Sequence, residues 1–166
     1  MSGLLRASDT VLRKLAYLAA ALGGMVMLVM LAVVTANICM RPFGGSIRGT
    51  VEVSGYLCAL AVGLCMPAAQ MAGSHIAAGL WSGSLPRPVR RFEKLGVSLL
   101  CAGLLFLVAR ELLGIAEYAA DMGEYIEGFD VSYYGMALGF AFGIALHGLI
   151  FIHTALGVVF PAKEGA

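Results

Sequence analysis

Four stretches of this chain are long and apolar enough to cross a lipid bilayer, and no other feature of the sequence restricts its fold so tightly. A helix crossing a hydrocarbon core of roughly 30 Å needs about 20 mostly apolar residues. Residues 15–38, 50–72, 95–115 and 134–160 each meet that requirement. Helices are expected because lipid offers no partner for exposed backbone N–H and C=O groups. With 60% hydrophobic and 13% charged residues, the 166-residue chain has too little polar surface to cover a water-facing domain. The four crossings and their short connections use up the length and leave no room for a separate soluble domain. The expected fold class is an all-α integral membrane protein with four transmembrane helices, residues 1–166 forming a single membrane domain. Its one certain partner class is the phospholipid bilayer, and a formal charge of +1 argues against nucleic acid.

The first stretch follows Arg6, Arg13 and Lys14, carries no charge from Leu15 to Ile38, and ends at Arg41-Pro42, where proline interrupts helical hydrogen bonding. It is too long for a signal-peptide core and lacks a small-residue cleavage site, so it is expected to remain in the mature protein. The second opens at Thr50 with Glu52, ends near Gln70, and contains Pro67, where a kink is expected. Between the second and third lie Trp81, suited to the headgroup level, and Pro86 and Pro88, which are expected to break any helix. Arg87, Arg90, Arg91 and Lys94 add a basic cluster there. The third stretch carries Arg110 and Glu111 near its far end. Glu117, Asp121 and Glu124 follow at helical spacing, so this helix is expected to project beyond the bilayer and break near Gly128. The fourth opens with Tyr133 and Tyr134, an aromatic pair appropriate to an interface, and closes at Phe160-Pro161.

Lysine and arginine placement sets the expected orientation. Most bases lie in the N-terminal segment and the second connection, whereas residues 114–133 hold five acids and no base. The positive-inside rule therefore puts the third connection outside and both termini in the cytoplasm, although Arg41 and Arg48 in the first connection run against it. Trp81, Arg87, Arg90, Arg91, Tyr133 and Tyr134 are the expected interfacial anchors.

The clearest packing signal is Gly135, Gly139, Gly143 and His147, spaced four apart on the fourth helix. Glycines so placed let helix backbones approach, against another helix of this chain or of a partner subunit. His147 lies deep in that helix, so it is expected to face protein and hydrogen-bond another helix; haem ligation is the sharper alternative. Six residues separate His147 from His153, which puts them on different faces, so no axial pair emerges. Cys39, Cys58, Cys65 and Cys101 have neither a C-x-x-C pair nor a zinc-ligand spacing and read as packing residues. Glu52 superficially matches the carboxylate of a small proton-coupled exporter, but an ion pair with Arg48 at i, i+4 near the surface is the simpler account. No P-loop, nucleophile–base pair, metal cluster or glycine-broken half-helix pair is present, so the chain is expected to be neither an enzyme nor the holder of an ion site.

The run Arg41-Pro42-Phe43-Gly44-Gly45-Ser46-Ile47-Arg48-Gly49-Thr50-Val51-Glu52, then Gly73-Ser74-His75-Ile76 and Leu85-Pro86, resembles the small, DctQ-like permease subunit of tripartite ATP-independent periplasmic (TRAP) transporters. The likeness spans nearly the whole chain and includes Glu52 opening the second helix, His75 after it, and the Leu-Pro and basic residues before the third. It departs at Gly79, where family members often carry an Asp four residues after that His. The resemblance implies a three-protein, sodium-coupled importer in a bacterial inner membrane. A periplasmic binding protein would capture the solute, a large membrane subunit would move it and hold the sodium, and this chain, with no cofactor of its own, would brace that subunit. Arg41, Arg48, Glu52, Glu117, Asp121 and Glu124 are then candidates for contact with the binding protein. The rival readings are a haem-bearing membrane anchor of a respiratory complex and a small proton-coupled exporter. The solute is not legible in this chain.

Overall fold

The computed structural model describes residues 2–72, 86–126 and 132–159. Helix α1 spans Ser2–Met40, and a 3-10 turn follows at Arg41–Phe43. Helix α2 spans Thr50–Met71, α3 Arg87–Met122 and α4 Tyr133–Val159. All four helices are long and apolar enough to cross a membrane. Among the described residues there is no strand, only an isolated bridge between Tyr125 and Ser132.

Two helices outrun the apolar stretches that announce them. At about 1.5 Å per residue, the 39-residue α1 is roughly 58 Å long and the 36-residue α3 roughly 54 Å. The charged lead-in to α1 is helical too, with Arg13 Nε donating to Asp9 Oδ2 at 2.9 Å one turn earlier. At the start of α3 the expectation of two helix breakers is corrected. Pro86 is the extended residue before the helix (φ −56°, ψ 145°), but Pro88 lies inside the first turn, where an N–H has no intrahelical partner to lose.

The ends of α1 and α3 share one device. Gly123 takes a left-handed conformation (φ +63°), its N–H donates to Ala120 O, and the N–H of Glu124 donates to Ala119 O. This is a Schellman closure, and it ends α3 at Met122, six residues before Gly128, which lies outside the described residues. At the other site Pro42 tightens the end of α1 into a 3-10 turn. Gly44 (φ +76°) then closes it, with Gly44 N–H donating to Arg41 O and Gly45 N–H to Met40 O.

The helices form an open row in the order α1, α2, α4, α3. Helix α4 packs on both α2 and α3, α2 packs on α1, and α1 only grazes α4. Burial follows that order: 39% of the apolar stretch of α4 is buried in the chain, against 11% for α1, which marks α4 as the centre. Helices consecutive in the chain run antiparallel, whereas α2 and α4, side by side in the row, run parallel, with Leu60 opposite Gly139 and Gly63 opposite Gly143. At one end Ala16 of α1 meets Ala68 of α2 and Ile150 of α4; at the other, Val53 and Leu57 of α2 meet Ile126 and Tyr133. The first is the terminal end, where α1 begins and α4 finishes, and the second is the hairpin end.

Small residues let the row close up. On α3 the buried residues are Ser98, Ala102, Ala109, Ala116 and Ala119, a seam at near-heptad spacing facing α4. On α1, Ala16, Ala19 and Gly23 do the same against α2. A Cβ on Gly23 would come within 2.7 Å of Cys65 Sγ and 3.0 Å of Ala61 O. The closest approach is between α2 and α4, where a Cβ on Gly143 would overlap the carbonyl carbon and oxygen of Gly63. That carbonyl is the one Pro67, four residues on and fully buried, leaves without a helical donor. The Cα–H of Gly143 therefore points at a carbonyl freed by proline, a weak C–H···O contact that completes what the helix omits. Helix α2 continues unbroken through Pro67.

Candidate functional site

The hairpin end carries most of the polar structure. After the closure at Gly44 the chain passes through Ser46 and Ile47 to Gly49, a left-handed residue (φ +72°) that caps α2. This turn is tied down from both sides. The buried Asn37 accepts the N–H of Ile47 at 2.8 Å, and Thr50 Oγ1 donates to Ile47 O at 2.7 Å. A hollow of about 350 Å³ opens beside it, lined by Asn37, Arg41, Ser46, Ile47, Thr50 and Glu52 among others. On its outside Phe43 is 89% exposed and Val51 83%.

Glu52 does not pair with Arg48. Its Oε2 accepts the hydroxyl of Tyr133 at 3.3 Å, and the Tyr133 ring meets Tyr56 edge-on with centroids 4.7 Å apart. The helix spacing permits the Arg48 pair, but Arg48 lies before the αL cap at Gly49, outside the helical register that i, i+4 assumes. Among the described residues the one ion pair is Arg13–Asp9, so Arg41 and Arg48 face no carboxylate within salt-bridge distance. Glu117, Asp121 and Glu124 are exposed on and just beyond the last turns of α3. Glu127 and Asp130, the other two acids of residues 114–133, lie outside the described residues.

Of the anchors, Trp81 lies outside the described residues, as does His75. Arg87 opens α3, and Arg90 is exposed on its first turn. Arg91 has a more specific use: its Nε donates to Val158 O at 2.8 Å and its Nη2 to Val159 O at 2.9 Å. A guanidinium fork thus satisfies the last carbonyls of α4 and opposes the negative end of its dipole. Tyr133 and Tyr134 open α4, Tyr133 turned to Glu52 and Tyr134 exposed.

The four-residue stripe on α4 divides. Gly135 is open, with nothing within 4 Å of where a Cβ would stand. A Cβ on Gly139 would come within 2.7 Å of Leu60 Cδ1, Gly143 faces the α2 backbone, and His147 is 3% exposed. Its ring stacks on Phe151 one turn on, with centroids 5.1 Å apart. An apolar groove of about 240 Å³ lies over α4 between α2 and α3, lined by Tyr56, Ala59, Leu112, Ile115, Met136 and Phe140 with Ala137.

Two important positions carry no sequence signal of the expected kind. Ile126, 1% exposed, leaves the acidic connection to insert among Val53, Leu57, Val26, Met30 and Met136. The Ser98–Ala119 seam is the other; its heptad spacing is visible in retrospect, but alanine scarcely moves a hydropathy profile.

The arrangement offers packing faces, interfacial anchors and a rigid polar turn. The family profile described as "Tripartite ATP-independent periplasmic transporters, DctQ component" matches residues 30–160, about four-fifths of the chain. The chain belongs to the DctQ family. It is therefore the small component of a TRAP transporter, and its four helices fit a multi-pass membrane protein. Comparison with curated proteins and with solved structures finds no match. The matched region begins within α1 and takes in the polar turn, the α2–α4 contact, the Ser98–Ala119 seam and the Arg91 cap.

Proposed function

We propose that this DctQ-family chain is the non-catalytic brace of a sodium-coupled TRAP importer in a bacterial inner membrane. It lies against the large transport subunit and helps seat the periplasmic binding protein. The observation that carries this reading is the open row. In a closed bundle α1 and α3 would also pack on each other, but here α1 packs on α2 and α3 on α4, which leaves Met25, Leu28 and Leu31 of α1 60–67% exposed and Leu100 of α3 65% exposed. Such a row presents long helical flanks to a neighbouring subunit as well as to lipid, while α4, packed on both sides, keeps the row rigid. Sodium and solute belong to the large subunit in this reading, because the small one contributes packing surfaces and anchors. The terminal end, with Arg13, Lys14, Arg90, Arg91 and Lys94, faces the cytoplasm, and the hairpin end faces the periplasm.

Reconstitution tests the proposal. Proteoliposomes holding the large subunit alone, this chain alone, or both are supplied with loaded binding protein under an inward sodium gradient. Uptake is expected only when both membrane chains are present. Full uptake by the large subunit alone, or uptake by this chain alone, would defeat the bracing role.

A further inference from the structure

The turn between α1 and α2 is built as a docking knob, and we infer that it inserts Phe43, flanked by Arg41 and Arg48, into an apolar, acid-rimmed recess on the periplasmic binding protein. This rests on the proposed role in a TRAP importer and deepens it by choosing between two surfaces at the hairpin end.

Phe43 is the most exposed large apolar side chain among the described residues, at 89%. It comes after the apolar run of α1 ends. The apolar run from Leu15 to Ile38 already rises roughly 36 Å as a helix, against a hydrocarbon core of roughly 30 Å. Phe43 lies five residues farther on, between Arg41 and Arg48. An exposed aromatic ring beside cations is the composition that dominates binding energy in protein interfaces, where Trp, Tyr and Arg are enriched and aromatic anchors fill pockets.

The turn that presents it is pre-ordered. Gly44 and Gly45 close the 3-10 turn onto Arg41 and Met40, Asn37 holds the N–H of Ile47, and Thr50 holds its carbonyl. A knob fixed before contact loses little conformational freedom on binding. Next to it, the hollow of about 350 Å³ has Arg41 and Val51 on its rim, and room for a side chain from the partner.

Charge selects the partner's chemistry. Among the described residues no carboxylate stands within salt-bridge range of Arg41 or Arg48, Glu52 being engaged by Tyr133 instead. Two exposed cations around an apolar knob complement a recess ringed by Asp or Glu. The acids Glu117, Asp121 and Glu124 are exposed at the same end, and among the described residues the exposed aromatics beside them are Tyr118 and Tyr125, each near 60% against 89% for Phe43.

The test uses the intact complex of this chain with its large subunit in proteoliposomes, and the purified, solute-loaded binding protein of the same transporter as the probe. Uptake is measured against binding-protein concentration for wild type, Phe43→Ala and Arg41→Glu/Arg48→Glu. The expected result is a rise of about tenfold or more in the half-saturating concentration for each variant, with maximal uptake and the amount of co-purified large subunit unchanged. The wild-type value should also climb with ionic strength, and in the charge-reversed variant that dependence should reverse, because salt screens the new repulsion. Unchanged half-saturation in both variants overturns the inference. So does a loss of co-purified large subunit at unaltered half-saturation, which would make the turn a contact to that subunit or to lipid. If wild-type chain brings down no large subunit at all, it is the transporter role that fails, a result separable from either outcome.

Discussion

Gly143 should be the least replaceable glycine of α4, and the reason is geometric. A methyl group there would overlap the carbonyl carbon and oxygen of Gly63 and approach the backbone N of Leu64 at 3.0 Å. None of these can rotate away, so relief requires α2 and α4 to separate by about 1 Å, and a gap of that size forfeits roughly a quarter to a half of each dispersion contact along the crossing. Overpacking of this kind costs about 1–3 kcal/mol. The opened crossing also removes the C–H···O contact from the carbonyl that Pro67 frees, about 0.5–1 kcal/mol more. Gly143→Ala is thus expected to lose about 1.5–4 kcal/mol. Gly139→Ala meets only the tip of Leu60 and should lose less, while Gly135→Ala meets nothing and should be neutral or slightly stabilising through helix propensity. The assay is thermal unfolding in detergent, followed by circular dichroism and by the monodisperse fraction surviving heating. The reasoning is refuted if Gly143→Ala melts with Gly135→Ala.

Three further outcomes follow from the same geometry. Arg91→Ala removes both donors from Val158 O and Val159 O, so amide exchange in the last turn of α4 should speed up several-fold, about what one lost hydrogen bond allows, with the middle of the helix unaffected. Ile126→Ala empties a site 1% exposed at the hairpin end and should destabilise the chain by about 2–4 kcal/mol, measured by the same melting assay. Tyr125→Cys, in a background without the four native cysteines, should react with a membrane-impermeant maleimide from the periplasmic side alone; labelling from the cytoplasm would invert the orientation.

The spans were legible because a bilayer reads hydropathy over 20-residue windows, which the sequence displays directly. The helix ends were less so. The α1 extension is invisible to hydropathy because Asp9, Arg13 and Lys14 are charged, although their i, i+4 spacing suits a helix. Pro88 is ambiguous in the sequence because proline breaks helix interiors but is welcome in a first turn, and only the observed start at Arg87 tells the two apart. Glycine spacing on α4 pointed to close packing, yet which glycine meets backbone depends on the crossing point with α2, a tertiary quantity. Glu52 and Arg91 illustrate the same limit: their partners, Tyr133 and the end of α4, are 81 and 67 or more residues away in sequence. The Arg41–Arg48 turn was visible as a motif, whereas its rigidity and the exposure of Phe43 belong to the fold.

The central claim is that this row of helices works as a brace for a larger transport subunit, and co-purification from native membranes tests it most directly. Tagged chain extracted in mild detergent is expected to bring down a larger multi-span membrane protein in a stable, stoichiometric complex that persists through size exclusion. Recovery of the chain alone, or with a reduced-minus-oxidised b-type haem spectrum in place of that partner, would contradict the account.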